Sequence, residues 1–338
     1  MTLRIAFVGF RHAHVFDLYH RAQDMDDLEV VAACEEDDVT RQDLSSNSSV
    51  SITHTCFTDM LDSVTCDVVA VGDYYAKRGQ LTIQALERGK HVIVDKPLCT
   101  SIAALDKIAN ISHSNQRVVG CILDLRDTPQ VIGLRNLVRR GDLGEIHAVT
   151  FGGQHPLLLG KRPAWYFEPG KHGGTINDIA IHAYDAIPWI TGLSFTEVTA
   201  ARCWNACVPW YPHFKDGAQV MLTLENGAGV LGDVSYLMPD GVGYTAPFYW
   251  RMTFWGSDGV AETAYNAHEL RVARPGDERL VNLALPAGNP GGYLKAFLHE
   301  IRHEPADGEL VTDDVLRAAR VTLTAQLVAD RAESGTPL

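Results

Sequence analysis

The chain has 338 residues, 46 % of them apolar and 21 % charged, and a formal net charge of −13 at pH 7. These proportions belong to an ordinary globular protein of roughly two domains, with enough apolar material for a sizeable core. The acidic balance excludes the basic footprint of a nucleic-acid binder and offers no polybasic patch to a membrane, and no apolar run is long enough to span one.

Taken in chain order, residues 3–9 form the first apolar, strand-like run. It is too short for a signal-peptide core and no small-residue cleavage site follows, so a cytoplasmic protein is expected. Val15, Leu18, Tyr19 and Ala22 then recur at helical spacing, and residues 29–34 form a second apolar run. Residues 45–51 are polar and read as a loop. Strands are expected at 67–72, 91–94 and 118–123, with helices between them through Leu81, Ala85 and Leu86, and through Ile102, Leu105 and Ile108. Alternating strands and helices imply βαβ units and a parallel sheet covered on both faces.

Thr128-Pro129 opens another helix, with proline in a favoured first-turn position. After Gly144 the character changes. Strands are expected at 145–153, 195–206, 217–225, 228–237, 249–256 and 279–285, with Gly, Asn and Asp between several of them. Such turns make an antiparallel sheet. Helices near 291–303 and 313–333 close the chain. The expected class is α/β: a Rossmann-like domain over 1–125, a hinge near 124–128, and an α+β domain over 126–338 built on a large open sheet. The last helix is free to pack back on the first domain. One sheet face has no obvious helical cover, which suits a contact between copies of the chain.

Seven cysteines are present, an odd number without any CxxC. They suggest neither a disulfide framework nor a zinc ribbon. Cys203 and Cys207 lie near His213 but lack a fourth ligand and a usual ligand spacing, so they read as packing residues and no metal is expected.

The first strand leads into Gly9-Phe10-Arg11-His12-Ala13-His14 and then a helix. The dinucleotide fingerprint here is G-x-G-x-x-G/A. Only its first glycine, Gly9, is present; Arg11 and His14 stand at the other two positions. The setting is still that of a phosphate-binding loop, because a helix N-terminus follows a strand. Arg11 is open to three readings: phosphate clamp, substrate contact or surface residue. His12 and His14 read as polar loop residues rather than metal ligands. Glu35 ends the second strand, where an acid would bond a ribose 2′-hydroxyl. Glu36, Asp37 and Asp38 follow it, and so many carboxylates would repel a 2′-phosphate. NAD is therefore expected over NADP.

Further along, Asp95-Lys96-Pro97 ends the apolar run at 91–94. The segment Gly173-Gly174-Thr175-Ile176-Asn177-Asp178-Ile179-Ala180-Ile181-His182 puts Asp178 and His182 four residues apart, on one face of an expected helix. With Ala85-Leu86-Glu87-Arg88-Gly89-Lys90-His91 ahead of the first block, and Gly141-Asp142-Leu143-Gly144 and Asp185 in the same order, the chain resembles the Gfo/Idh/MocA family of NAD(P)-dependent oxidoreductases over nearly its whole length. The resemblance implies an N-terminal Rossmann domain and a C-terminal domain with an open, mostly antiparallel sheet. It further implies a homodimer or homotetramer contacting through that sheet. Lys96 falls on the family's E-K-P lysine, with Asp95 replacing the glutamate, and Asp178 and His182 fall on its catalytic aspartate and histidine. The family's T-P-x-x-x-H segment is replaced by Asp73-Tyr74-Tyr75-Ala76-Lys77-Arg78.

The resemblance thus assigns catalysis to Lys96, His182 and Asp178. Cofactor contacts are expected from Gly9, Arg11, His12, Glu35, Asp73, Lys96 and Pro97. Substrate contacts are expected from His155, Trp165, Tyr166, His172 and Asp178. The expected activity is hydride transfer between nicotinamide and a hydroxyl-bearing carbon of a sugar, inositol or related polyol. An NAD-dependent glycoside-cleaving enzyme working by oxidation, elimination and reduction is the alternative, with His155, His172 or Tyr166 as its second base. A non-catalytic dinucleotide sensor is a third reading.

Overall fold

A computed structural model describes residues 2–331. The chain divides into two compact units. The first runs to Ile122 and also takes in Pro163–Gly173 and Gly291–Ala319; the second comprises Leu123–Arg162, Gly174–Pro290 and the chain from Arg320. The stretch 126–338 is therefore divided between two bodies.

The first unit is built on five parallel strands, β1 (Leu3–Val8), β2 (Leu28–Cys34), β3 (Val68–Val71), β4 (His91–Val94) and β5 (Val119–Cys121), in the order β2-β1-β3-β4-β5. Val68–Val71 is buried throughout. Such short β-branched runs form strands because both faces meet helices. The helices are α1 (His14–Asp24), α2 (Asp38–Asn47), α3 (Phe57–Ser63), α4 (Tyr75–Glu87) and α5 (Ile102–Asn115). Strand order turns back between β1 and β3, so the carboxyl ends of those strands flank a topological switch point, where open α/β sheets bind ligands.

Two local expectations change here. Residues 45–47 belong to α2, whose N-cap Asp37 accepts from Thr40 N, so only the last part of the polar 45–51 segment is loop. Helix α3 was not expected; it forms because Phe57, Met60 and Leu61 are buried one turn apart.

The late segment of this unit finishes its sheet. Helix α8 (Gly292–Ile301) lays Phe297 so close to Gly120 that a Cβ there would fall 2.7 Å from the ring. The hydroxyl of Thr312, at the start of α9 (Thr312–Arg331), accepts a hydrogen bond from the Val119 amide at 3.0 Å. An edge-strand donor is thereby satisfied.

The second unit carries α6 (Pro129–Arg139), capped by the Thr128 hydroxyl with Pro129 in the first turn, and an eight-stranded sheet. Its strands are β6 (Ile146–Pro156), β7 (Phe195–Trp204), β8 (Gly217–Leu224), β9 (Gly229–Met238), β10 (Met252–Gly256), β11 (Gly259–Thr263), β12 (Glu269–Ala273) and β13 (Val281–Ala284). The order is β13-β12-β11-β10-β6-β9-β8-β7, antiparallel except for the parallel pair β6 and β9. Strands β11 and β12 were not expected. They are only five residues each and alternate buried Ala261, Leu270 and Val272 with charged residues, among them Glu262 and Arg271, which pair across the strands at 2.7 Å. Strand β10 starts later than expected because Trp250 adopts φ +50°, a left-handed conformation that interrupts extended chain.

One sheet face is apolar and buried, through Val149, Phe151, Val220, Leu222, Val230 and Val234. On the other face Met221, Leu231 and Trp255 stand exposed. Helix α7 (Ile181–Thr191) follows a π-helical turn, Ile176–Ala180. Within α7, buried Asp185 forms a bidentate ion pair with buried Arg126, its Oδ2 accepting from Nε at 2.8 Å. No helix among the described residues is long and apolar enough to cross a membrane.

Two stability tests follow from these contacts. Breaking a buried pair by removing one charge strands the other, at about 3–5 kcal/mol; Asp185→Asn is expected to lower unfolding free energy by that order in urea titrations. At the head of β4, His91 Nδ1 accepts from the Val118 amide at 3.0 Å. Burial, aided by Arg117, lowers its pKa to about 4 from 6.5. The unfolded chain therefore binds the proton first as pH falls, and this contribution, complete above pH 6.5, is lost between 6.5 and about 4. His91→Gln should flatten the pH dependence of the urea midpoint in that window; an unchanged slope would place the dependence on other groups.

Candidate active site

In the first unit the β1–α1 loop carries most of the expected cofactor residues. Gly9 sits at φ +78°, and a Cβ there would lie 2.5 Å from Asp73 N, so a side chain would force the loops after β1 and β3 apart. The next amide, Phe10 N, donates to Glu35 Oε2 at 2.6 Å, and Asp37 N donates to Oε1 at 2.9 Å. Glu35 is fully buried and braces the loop from the end of β2. Burial raises its pKa against the pull of those two amides.

Arg11 lies among acids. Its Nε is 3.1 Å from Asp73 Oδ1 and 3.6 Å from Glu35 Oε1, and Nη1 is 3.9 Å from Asp37 Oδ2. The guanidinium also stands over the Tyr74 ring at 5.0 Å. Lys77 bonds Glu36 at 2.7 Å and Asp73 Oδ2 at 3.1 Å. Of the three readings for Arg11, a surface residue is ruled out: its side chain is 15 % exposed.

A second cluster centres on Asp95, at the end of β4. Fully buried Arg78 donates to Asp95 Oδ2 at 3.1 Å and to the carbonyls of Gly72, Asp95 and Lys96. His12 Nδ1 lies 2.5 Å from Asp95 Oδ2, and His14 Nδ1 lies 3.2 Å from Oδ1. Burial pushes the Asp95 carboxyl up, but Arg78 and the two imidazoles hold it well below the usual range. Burial lowers His12 to about 4, overriding its attraction to Asp95, so this pair is a neutral imidazole beside a carboxylate at pH 7.

On its other side His12 Nε2 meets the hydroxyls of Tyr75 at 3.0 Å and Tyr166 at 3.1 Å, which lie 2.7 Å apart. The Trp165 indole N–H donates to Arg11 O at 3.0 Å. Trp165 stacks on Tyr166, and the His172 ring lies 5.2 Å from the Tyr166 ring. Arg11, His12, Glu35, Asp73, Trp165, Tyr166 and His172 thus share one unit with Lys96, which is 5 % exposed, and with Pro97, which follows a cis peptide bond. Tyr75 and Arg78 were not among the expected site residues. The altered 73–78 segment was their only signal in the sequence.

The second unit holds Asp178, His182 and His155. The expected helix is present, but Asp178 lies in its π-helical turn and His182 in α7, so their spacing is not that of two residues in one α-helix. Gly174 at φ +100° precedes this turn, and the Ile176 amide donates to Gln326 Oε1 at 3.0 Å. Asp178 Oδ2 accepts from the Tyr236 hydroxyl. His182 is 7 % exposed, with Nδ1 4.0 Å from Asp124 Oδ1 and its ring 5.7 Å from Trp250. His155 lies against Tyr236, Tyr244, Tyr249 and Trp250, with Nε2 3.3 Å from the Tyr249 hydroxyl. Nothing in the local sequence pattern marked Trp250 or Tyr249 as neighbours of these histidines.

Comparison with known proteins places this architecture. The chain is 26 % identical over 180 residues to levoglucosan dehydrogenase of Pseudarthrobacter phenanthrenivorans, covering 52 % of this chain and 45 % of that one. It is 29 % identical over 182 residues to scyllo-inositol 2-dehydrogenase (NAD(+)) of Bacillus subtilis, covering 52 % and 50 %. The chain thus spans about half the length of the curated relatives it matches. Its fold superposes on an inositol dehydrogenase homologue from Azotobacter vinelandii, solved with NAD+, at a TM-score of 0.80, with 17 % identity over 99 % of this chain and 97 % of that one. Residues 3–122 match the oxidoreductase family with an NAD-binding Rossmann fold, and residues 131–262 match its GFO/IDH/MocA C-terminal domain. With both halves accounted for in order, the chain belongs to the GFO/IDH/MocA family of oxidoreductases.

Proposed function

We propose that the protein is an NAD-dependent oxidoreductase acting on a hydroxyl-bearing carbon of a sugar, inositol or related polyol. The observation that carries this reading is Gly9. It keeps the positive φ and the close backbone approach of a dinucleotide loop, at the switch point of a β2-β1-β3-β4-β5 sheet, in a chain of this family. The residues fit the cofactor: the loop, the α1 N-terminus and the acids at the end of β2 lie together in one unit. Levoglucosan and scyllo-inositol, the substrates named for two relatives, support this substrate class.

When bound, the nicotinamide supplies the hydride acceptor. His182 takes the hydroxyl proton, a task suited to imidazole, whose unperturbed pKa lies near neutrality. Lys96 donates to the same oxygen and stabilises its developing charge. Asp178 holds a second hydroxyl. Gly9 and the loop amides with Arg11 and His12 would hold the cofactor's diphosphate, Asp73, Lys96 and Pro97 its nicotinamide half, and Glu35 its adenosine ribose. Glu35, Glu36, Asp37 and Asp73 around Arg11 disfavour a 2′-phosphate, which supports NAD over NADP. Trp165, Tyr166, His155 and His172 are the further substrate contacts of this reading. None of the seven cysteines is in a disulfide, which suits a reducing, cytoplasmic compartment.

The glycoside-cleaving alternative gains from Tyr166 and His172 lying together beside His12, which would supply a second base. Net NADH separates the two, because only the dehydrogenase accumulates it.

The first experiment titrates the protein with all four nicotinamide dinucleotides by tryptophan quenching, then follows NADH across a panel of inositols, hexoses and glucosides. Binding should favour the non-phosphorylated pair, and Lys96→Ala and His182→Ala should each cost at least ~100-fold in turnover. No dinucleotide binding, or near-normal turnover in both variants, would sink the proposal. We also propose that the open sheet face, with exposed Met221, Leu231 and Trp255, joins copies of the chain into a dimer or tetramer. Light scattering should then give a mass above one chain that Leu231→Glu reduces; a wild-type monomer would refute it.

A further inference from the structure

We infer that His12, His14 and Asp95 form a binding site for one divalent transition-metal cation on the β1–α1 loop. One nitrogen from each imidazole and one carboxylate oxygen all lie within 4.8 Å of one another. Two imidazoles and a carboxylate are the donor set of mononuclear zinc, cobalt and non-haem iron centres, which fill their remaining positions with water or an incoming ligand. Bonds of about 2.0–2.1 Å suit these atoms once the His12–Asp95 contact opens by about 1 Å. The His14 side chain is 42 % exposed, so the site has an entry path and room for water.

The surroundings are those of a metal site at one further remove. A ligating histidine donates its other ring N–H to an oxygen, which fixes its tautomer. When His12 binds the cation through Nδ1, its proton moves to Nε2, and the Tyr75 and Tyr166 hydroxyl oxygens stand ready there at 3.0 and 3.1 Å. No net proton is released in that exchange. Arg78, donating to Asp95 Oδ2 at 3.1 Å, fixes the carboxylate and leaves Oδ1 toward His14. Two features oppose a cation: the Arg78 charge, and the α1 N-terminus, where His14 is the first helical residue. The first is offset by the Asp95 charge it already shares, and the second is weak beside three coordinate bonds. The site also accounts for the sequence. A phosphate loop gains nothing from histidine in place of its third glycine, whereas a His-x-His pair opposite a buried aspartate gains a ligand set.

The test uses the full chain, stripped with chelator and titrated with Co²⁺, read by calorimetry and by visible d–d absorption, then with Zn²⁺ in competition. One Co²⁺ per chain with a low-symmetry d–d spectrum, displaced by Zn²⁺, is expected. His14→Ala, at a half-exposed position that leaves the core intact, should weaken binding at least ~100-fold, because it removes a direct ligand. Tyr166→Phe should weaken it roughly 10-fold, as loss of an outer partner does. No uptake by the wild type would overturn the inference. So would unchanged affinity and spectrum in His14→Ala, which would mean adventitious binding elsewhere. The dinucleotide titration is separate, so failure of either reading leaves the other standing.

Discussion

The buried pairing of Arg78 with Asp95 is the constraint on which the rest of the first unit's ligand-facing end depends. Taking both charges out of water is costly, and the cost is offset only if every remaining donor and acceptor is satisfied. The chain meets that condition by drawing three loops toward one point. Arg78 reaches the carbonyls after β3 and β4, while the Asp95 carboxylate collects His12 and His14 from the loop after β1. His12 in turn recruits Tyr75 and Tyr166, so even the distant 163–173 segment is tied to the same carboxylate through two links. Lys96 is held in place by its neighbours on either side, since its own carbonyl is one of the acceptors.

A second electrostatic pattern lies beside it. Arg11 and Lys77 alternate with Glu35, Glu36, Asp37 and Asp73, so each cation is held by carboxylates and the acids outnumber the bases around the loop. Glycine-rich loops attract phosphate with bare amides; this loop gives two of those positions to Arg11 and His14. Gly9 survives because its role is steric: no side chain fits against the Asp73 backbone.

Much of this was legible in the sequence. The five parallel strands, the change to antiparallel sheet after Gly144 and the Thr128-Pro129 cap all rest on short-range patterns, and the first sheet and six of the eight strands of the second formed as those patterns implied. What escaped was set by distance along the chain or by local exceptions. Strands β11 and β12 are too short and too charged to announce themselves. Trp250 turns left-handed, which no tryptophan signals. The π-helical turn at Asp178 follows from Gly174 and Gln326, 152 positions apart in the chain. His12 meets Tyr166 across 154 residues, a pairing that no window of sequence contains.

The return of residues 291–319 to the first unit bears on how the protein is made. Strand β5 is emitted early, yet the hydroxyl that takes its Val119 amide and the ring that covers Gly120 come from Thr312 and Phe297, nearly two hundred residues later. A ribosome adding about 5–20 residues per second takes some ten seconds or more to supply them. Throughout that interval the nascent nucleotide-type sheet has an unsealed border, and most of the second unit, residues 123–162 and 174–290, is synthesised before it closes. The two units are interleaved in synthesis, so the amino-terminal one begins first yet is completed only after most of the other has been made.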